Sequence, residues 1–504
     1  MEVASSFSMV MAVLTDPMAM LWTFVGTFMG LVFGSLPGLT ATMGIALLVP
    51  ITYSFPTIHA LGMMLGVYVG GIAGGAVAAI LLNIPGTPSA VATVLDGHPM
   101  AQQGRAAKAL GWAATASFFG GFISWLILAT LAPQVAKFAL RFGPPEYAAL
   151  ALFGLMIIAS VSGKSLIKGV ISGLIGVWLS TFGVDPIIGD LRFTFGNINL
   201  MSGIAVMPAL IGFYAIPQIL RSLSEEQTME MNTKTLNLSD FIPSLKEIWR
   251  SKFNIVRSSV IGTIIGIIPA TGGNIAAFLA YDQAKRFSKS PEEYGKGCPD
   301  GVIAPEAANN GVTGGALVPL LTLGIPGDSV TAVLLGGLMI HGLQPGPQLF
   351  SKSPDIIMGI FTTLLIANIF MWVIQLVGIK FFVRILRVPT YFLAPMLVIL
   401  AVVGSYALRN SLFDVWLTIL LGLFGYLMLR GGFPMAPTVL GLVLGPMLES
   451  EIRRTLILSG GDWSVFFVRP ISAVFIGVSL LIALTVAVKS FKKGKNADQV
   501  EASI

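Results

Sequence analysis

Apolar positions along the chain run in blocks too long for strands. Residues 200–220, 358–383, 391–408 and 470–488 each hold about 18 or more residues with little or no charge, the length that crosses a hydrocarbon core of roughly 30 Å as helix. Transmembrane strands alternate apolar and polar residues over about ten positions, and these blocks do not alternate. The pattern predicts an all-α integral membrane protein of about twelve spans.

The blocks are punctuated in a repeated way. Gly30-x-x-x-Gly34-x-x-Pro37 is matched by Gly262-x-x-x-Gly266-x-x-Pro269. Gly74-Gly75-Ala76 followed by Ile84-Pro85-Gly86 is matched by Gly314-Gly315-Ala316 followed by Ile325-Pro326-Gly327. Pro145 and Tyr147 align with Pro389 and Tyr391. All three matches keep order at an offset of roughly 230–245 residues, so one unit is duplicated. The expected divisions are a first membrane repeat over 1–220, a polar linker over 221–257, a second repeat over 258–488 and a basic tail over 489–504. The linker carries Glu225, Glu226, Glu230, Lys234, Asp240, Lys246, Arg250 and Lys252; it reads equally as a solvated connection or, in its amphipathic second part, as an interfacial helix.

Proline biases its preceding residue away from helix, and Pro-Gly favours a turn. Ser, Thr and Asp just beyond then serve as N-caps for the next helix. Each half has two such places. The first is Ser35-Leu36-Pro37-Gly38-Leu39-Thr40-Ala41-Thr42, mirrored by Ile268-Pro269-Ala270-Thr271-Gly272-Gly273-Asn274. The second is Asn83-Ile84-Pro85-Gly86-Thr87-Pro88-Ser89, mirrored by Gly324-Ile325-Pro326-Gly327-Asp328-Ser329-Val330-Thr331. Each predicts a helix that stops within the membrane, turns and restarts. A restarting N-terminus presents unpaired N–H groups and the positive end of its dipole, which suits a carboxylate. Four such ends near the midplane form one polar site, as in many secondary transporters. Against this, Pro-Gly pairs also merely kink helices, and G-x-x-x-G is a common packing motif.

The candidate substrate-binding residues are therefore Pro37, Gly38, Thr40, Asn83, Pro85, Gly86, Thr87, Ser89, Gly272, Asn274, Pro326, Gly327, Ser329 and Thr331. Asp328 and Asn309 are candidates for a coupling ion, sodium or proton, with helix capping the first reading of Asp328. Asp96 and His98 are expected at a helix end. Glu306 sits in so apolar a context that it is either interfacial or functional.

Composition sharpens this picture. Of the 504 residues, 55% are hydrophobic and 11% charged, too few charges to coat a soluble domain. The net charge of +6 lies largely outside the apolar blocks and reads as topology, not as nucleic-acid binding. Lys489, Lys492, Lys493 and Lys495 follow a span directly, which predicts a cytoplasmic C-terminus. The loop with Lys285, Arg286, Lys289 and Lys296 has an uncharged counterpart near Thr52-Tyr53-Ser54, as expected for halves of inverted orientation. With Glu2 and no basic residue before the first apolar stretch, a cleaved signal peptide is not expected. The single cysteine, Cys298, leaves no intrachain disulfide. His59, His98 and His341 are too dispersed for a local metal site. No Walker A, G-x-S-x-G or H-E-x-x-H sequence occurs, so neither P-loop ATP hydrolysis nor a common hydrolase is indicated. No cofactor is expected beyond a coupling ion.

The motifs resemble the large membrane subunit of the tripartite tricarboxylate transporters. The resemblance lies in Gly34-Ser35-Leu36-Pro37-Gly38-Leu39, Leu82-Asn83-Ile84-Pro85-Gly86-Thr87 and Leu95-Asp96-Gly97-His98-Pro99-Met100-Ala101-Gln102-Gln103-Gly104. It continues in Ala304-Pro305-Glu306-Ala307-Ala308-Asn309-Asn310, Gly324-Ile325-Pro326-Gly327 and His341-Gly342-Leu343-Gln344-Pro345-Gly346-Pro347. It implies a small membrane subunit of about four spans, a periplasmic solute-binding protein, and gradient-driven import of tricarboxylates or related organic acids across a bacterial inner membrane. Ala270, where a Pro-Gly pair is usual, and Thr40, where glycine is common, depart from the pattern and leave the acid open. A stand-alone ion-coupled carboxylate exchanger is the alternative, and a membrane-embedded enzyme a more distant one.

Overall fold

The computed structural model describes residues 2–161, 165–224, 241–269, 271–386 and 390–501. Linker positions Glu225, Glu226, Glu230, Lys234 and Asp240, with Ala270 and Pro389, lie outside the described residues. Apart from one hairpin, the regular structure there is helical. The first repeat opens with α1 (Glu2–Thr15), α2 (Pro17–Ser35), α3 (Ala41–Leu48), α4 (Thr57–Leu82), α5 (Val91–Gln102) and α6 (Ala106–Ala139). It continues with α7 (Pro144–Val161), α8 (Leu166–Ser180), the strands β1 (Gly183–Val184) and β2 (Leu191–Arg192), and α9 (Val206–Ser224). The second opens with α10 (Leu245–Ile267), α11 (Gly272–Arg286), α12 (Asp300–Leu323), α13 (Ser329–Ile340), α14 (Pro347–Lys352) and α15 (Pro354–Ile385). It ends with α16 (Thr390–Arg409), α17 (Leu412–Arg430), α18 (Met435–Leu458), α19 (Val465–Val468) and α20 (Pro470–Glu501).

Five of these helices, α2, α4, α6, α15 and α17, are long and apolar enough to cross a membrane alone. Breaks divide other apolar blocks into pieces too short to do so, such as Ala41–Ser54 and Ser329–Ile340. The second part of the linker opens α10, which Ser244 and Glu247 start with a reciprocal capping box.

The compact units do not follow the two sequence halves. Unit 1 comprises Met1–Leu140 and Met207–Tyr426; unit 2 comprises Arg141–Val206 and Leu427–Ile504. Each draws on both repeats. In unit 2, α18 packs on α7 and α8, and α20 on α7. Its β1–β2 hairpin is tied down by Arg192 to Glu449 at 2.5 Å and Arg453 to Asp185 at 2.6 Å; the Arg453 guanidinium, with the Ile188 and Ile187 N–H groups, holds the Asp185 carboxyl well below the usual carboxylate range.

Unit 1 is built on two equivalent helix pairs, α2 on α4 and α10 on α12. In each the glycine motif is the contact. A Cβ at Gly30 would stand 2.5 Å from the Val67 carbonyl oxygen, and one at Gly262 would stand 2.0 Å from that of Ala308. The backbones meet where only glycine fits. Hydroxyls at these seams are spent internally: Thr27 donates to the Thr23 carbonyl and Ser259 to that of Ile255, both at 2.7 Å. The G-x-x-x-G sequences are thus packing, leaving polar chemistry to the breaks.

Asp96 and His98 lie inside α5, not at its end. The buried Asp96 carboxylate accepts from the N–H groups of Gly295, Gly297 and Cys298 at 2.8–2.9 Å and from the Tyr281 hydroxyl at 2.8 Å. It clamps the connection between α11 and α12 onto α5. Such a buried charge stands because several donors converge on it.

Two outcomes are expected in thermal unfolding of the detergent-solubilised protein. Gly262→Val should destabilise by about 1–3 kcal/mol or more, whereas Gly477→Ala, where a Cβ meets open space, should be neutral. Asp96→Ala, which orphans several buried N–H groups at about 1–3 kcal/mol each, should lower the midpoint at least as far as Gly262→Val. A midpoint equal to the native one in both variants would refute this packing account.

Candidate substrate site at four interrupted helices

The four interruptions all lie in unit 1 and match in pairs. α2 ends at Leu36 (φ −82°, ψ 119°) and α10 at Ile268 (φ −76°, ψ 116°), each just before a proline. α4 ends at Asn83 and α12 at Gly324, both left-handed with φ 60° and 73°. Gly86 and Gly327 then press back on the α2 and α10 breaks. A Cβ on either would come within 2.3 Å of the Gly34 carbonyl oxygen or 2.6 Å of that of Gly266.

The restarting helices meet across the repeats in two pairs, one helical turn apart along α4, where Ala41 lies against Gly71 and Thr87 against Gly75. α3 packs on α13, and α11 packs on the 3-10 turn Pro88–Ala90 and on α5. At the first meeting Thr42 and Ser329 share a hydroxyl–hydroxyl bond of 3.1 Å. Both N-termini here are closed by their own caps. Thr40 accepts from the Met43 N–H at 3.2 Å. Asp328 accepts from the Thr331 N–H and hydroxyl, each at 2.7 Å, and from the Tyr68 hydroxyl at 2.9 Å. With Thr331 bonding back to the Asp328 N–H at 2.9 Å, Asp328 is a helix cap held by three donors.

The second meeting is different. α11 begins at Gly272 (φ +66°) with no side-chain cap, because the Thr271 hydroxyl donates backwards to carbonyls of α10 and its break, Ile265 and Ile268. The turn at Pro88 and the start of α5 also carry no side-chain cap, the Thr87 and Ser89 hydroxyls bonding each other at 3.2 Å. A Cβ on Gly273 would lie 2.9 Å from the Ser89 Cβ and 2.5 Å from the Asn309 Oδ1. Asn309 is 1% exposed, and its Oδ1 has no hydrogen-bond partner. Two uncapped helix N-termini therefore converge on a buried amide with an open acceptor. The N–H groups suit carboxylate oxygens; the amide oxygen suits a substrate hydroxyl or a cation.

Thr87, Ser89, Gly272 and Asn309 belong to the second meeting, and Thr40, Ser329, Thr331 and Asp328 to the first. Pro37, Gly38, Pro85, Gly86, Pro326 and Gly327 form the turns that aim them. Asn83 and Asn274 are exposed, the former at a helix C-terminus, the latter in the first turn of α11. Sequence reasoning missed Gln218 of α9, whose amide donates to the Gly38 carbonyl, and Tyr68. For Tyr68 the signal was present, a single phenol deep in the glycine-rich α4; for Gln218 there was none. No lysine or arginine occurs in any of the four interruptions, so charge recognition there falls to backbone N–H groups.

Comparison with known proteins places the chain in a family. The family model described as "Tripartite tricarboxylate transporter TctA family" matches residues 20–440. A protein of Agrobacterium vitis named "Uncharacterized 52.8 kDa protein in TAR-I ttuC' 3'region" is 38% identical over 97% of this chain and 98% of its own. A second from that organism, "Uncharacterized protein in TAR-II ttuC' 3'region", is 37% identical over 48% of this chain and 99% of its own. No solved structure matches. With a family model covering all four interruptions, the chain belongs to the TctA family of tripartite tricarboxylate transporters.

Proposed function

We propose that the chain is the large membrane subunit of a binding-protein-dependent secondary transporter that imports tricarboxylates or related small organic acids across the bacterial inner membrane. A sodium or proton gradient drives it. Its partners are a small membrane subunit of about four spans and a periplasmic solute-binding protein. The observation that carries this reading is the pair of uncapped N-termini, α11 and Pro88–α5, facing the open Asn309 oxygen. An anion is bound there without a buried cation to desolvate.

An inverted repeat is supported by helix directions within unit 1. Gly359, early in α15, packs on Ile58, early in α4. Further along, α15 runs antiparallel to α6, with the Trp125 indole donating to the Phe361 carbonyl at 2.8 Å and that of Trp372 to Thr115 at 3.5 Å. α6 runs parallel to α12, through Ser117 to Glu306 at 3.1 Å and Gly314 to Ser124 at 3.3 Å. The α2–α3–α4 and α10–α11–α12 hairpins therefore enter from opposite ends. The end where α12 starts carries Arg105, Lys108, Lys246, Arg250, Lys285, Arg286, Lys289 and Lys296; the end where α4 starts, α6 ends and α15 begins carries Lys137 and Lys352, with Asp16 bonded to His59 at 2.7 Å and Thr52 to His341 at 3.1 Å. The basic end is cytoplasmic by the positive-inside rule, together with the C-terminal tail. The gathering of all four interruptions in unit 1 supports an elevator-like movement of these segments.

Two measurements test the reading. In proteoliposomes holding this chain, the small subunit and the binding protein, Ser89→Ala with Asn309→Ala should raise KM for labelled citrate by roughly 10–100-fold, as loss of one or two buried polar contacts implies. Unchanged kinetics would remove the second meeting point from the site. For topology, native Cys298 should react with an impermeant maleimide in inside-out vesicles only. Tyr53→Cys in a Cys298→Ser background should react from the periplasmic side only. Burial lifts the Cys298 thiol above its usual value, so its labelling should keep accelerating at alkaline pH where an exposed thiol levels off. Labelling of both positions from one side contradicts the inverted arrangement.

A further inference from the structure

Glu306 lies one helical turn before Asn309 on α12 and is 0% exposed. Its two carboxyl oxygens accept only from neutral hydroxyls: Thr93 of α5 on Oε1, and Ser117 of α6 on Oε2 at 3.1 Å. Asn310 donates to the Ser117 oxygen at 2.8 Å and to the Glu306 carbonyl at 3.1 Å, and its own Oδ1 has no partner. None of the ion pairs among the described residues involves Glu306.

The following charged and titratable groups on the surrounding helices bond to partners other than Glu306. On α4, Tyr68 bonds Asp328. On α5, Asp96 holds the Gly295–Cys298 segment, and His98 bonds the Ile80 carbonyl and Gln102. On α6, Lys108 pairs with Glu247 of α10. Arg257 of α10 bonds Asn254, which in turn holds Asp300 at the start of α12, and Tyr281 of α11 bonds Asp96. A carboxylate enclosed in this way without a counter-charge is costly, and the common resolution is to take up a proton.

Its position gives that proton a use. Ser89 and Asn309 flank the α11 N-terminus, while Thr93 and Glu306, four residues on and three residues back, form the next rung of the same two elements. A bound organic anion and an ionised Glu306 would be about one helical turn, ~5.4 Å, apart in a medium of low polarity. Each raises the free energy of the other unless one is neutralised. The geometry points to Glu306 as the proton-carrying residue of this transporter, taking up one proton when the anion occupies the adjacent site and returning it to water on the opposite side when the anion leaves. This inference rests on the site reading above and adds the coupling ion and its carrier.

The test uses the three-component system in sodium-free proteoliposomes with labelled citrate and an imposed pH gradient. Parallel vesicles carry a sodium gradient instead: wild-type accumulation under either gradient establishes the transport reading and accumulation under neither refutes it, while accumulation with sodium but none with the pH gradient overturns the proton-carrier proposal and leaves the transport reading standing. Given wild-type accumulation, Glu306→Gln, fixed neutral, should abolish pH-driven accumulation to the level of protein-free vesicles. It should retain citrate counterflow, in which the loaded carrier shuttles without releasing a proton. Accumulation by Glu306→Gln with the native pH profile overturns the proposal. So does loss of counterflow together with accumulation, which would make the residue part of the scaffold or the anion site. Infrared titration of the purified protein provides a readout that needs no substrate. A protonated carboxyl band present in wild type, absent in Glu306→Gln and converting to carboxylate as pH rises is expected; no such band overturns the assignment.

Discussion

Where a helix is interrupted inside a membrane, its freed N–H and C=O groups have no water to bond, and everything distinctive in unit 1 follows from how those groups are satisfied. The carbonyl side is closed by nearby donors. Gly38 receives the Gln218 amide of α9, Thr271 bonds back to the Ile265 and Ile268 carbonyls of α10 and its break, and the Gly86 N–H reaches the Gly75 carbonyl at 3.3 Å. The N–H side is treated unequally. Two restarts carry a side-chain cap, Thr40 or Asp328, and two do not. The four ends match in two pairs, and the residues just after each proline decide which of them carries a side-chain cap.

Close packing is the second requirement. The turns survive only because Gly30 and Gly34 let α2 lie on α4, and Gly262 and Gly266 let α10 lie on α12, at backbone contact. That leaves no room for water and little for adjustment. Polar groups at these seams are therefore either self-satisfied, like Thr27 and Ser259, or concentrated at the breaks. Asp96 extends the same logic to the basic end of the unit, replacing absent water with backbone donors from the connection before α12.

Much of this was legible in the sequence. Proline, glycine and a small polar residue in fixed order located all four interruptions, and the repeated spacing paired them. Long-range partners were not legible. Nothing in the order of residues says that α3 meets α13 and α11 meets the Pro88 turn, so which ends pair could not be read from it. The compact units were equally hidden, since they interleave helices from both repeats. Asp96 was expected at a helix end, yet it lies inside α5, which continues through Pro99 to Gln102. Glu306 was unassignable without its neighbours: hydroxyls at Thr93 and Ser117, more than 180 residues away, decide that it is enclosed.

The central claim is that a carboxylate is held by backbone N–H groups at the start of α11 and the Pro88 turn. A cryo-electron microscopy map of the complex with a saturating carboxylate substrate tests it most directly. The account predicts ligand density against the N-termini of Gly273 and Ser89, beside Asn309, with no arginine or lysine in contact. Density at the α3–α13 meeting instead, or held by a basic side chain, would contradict it.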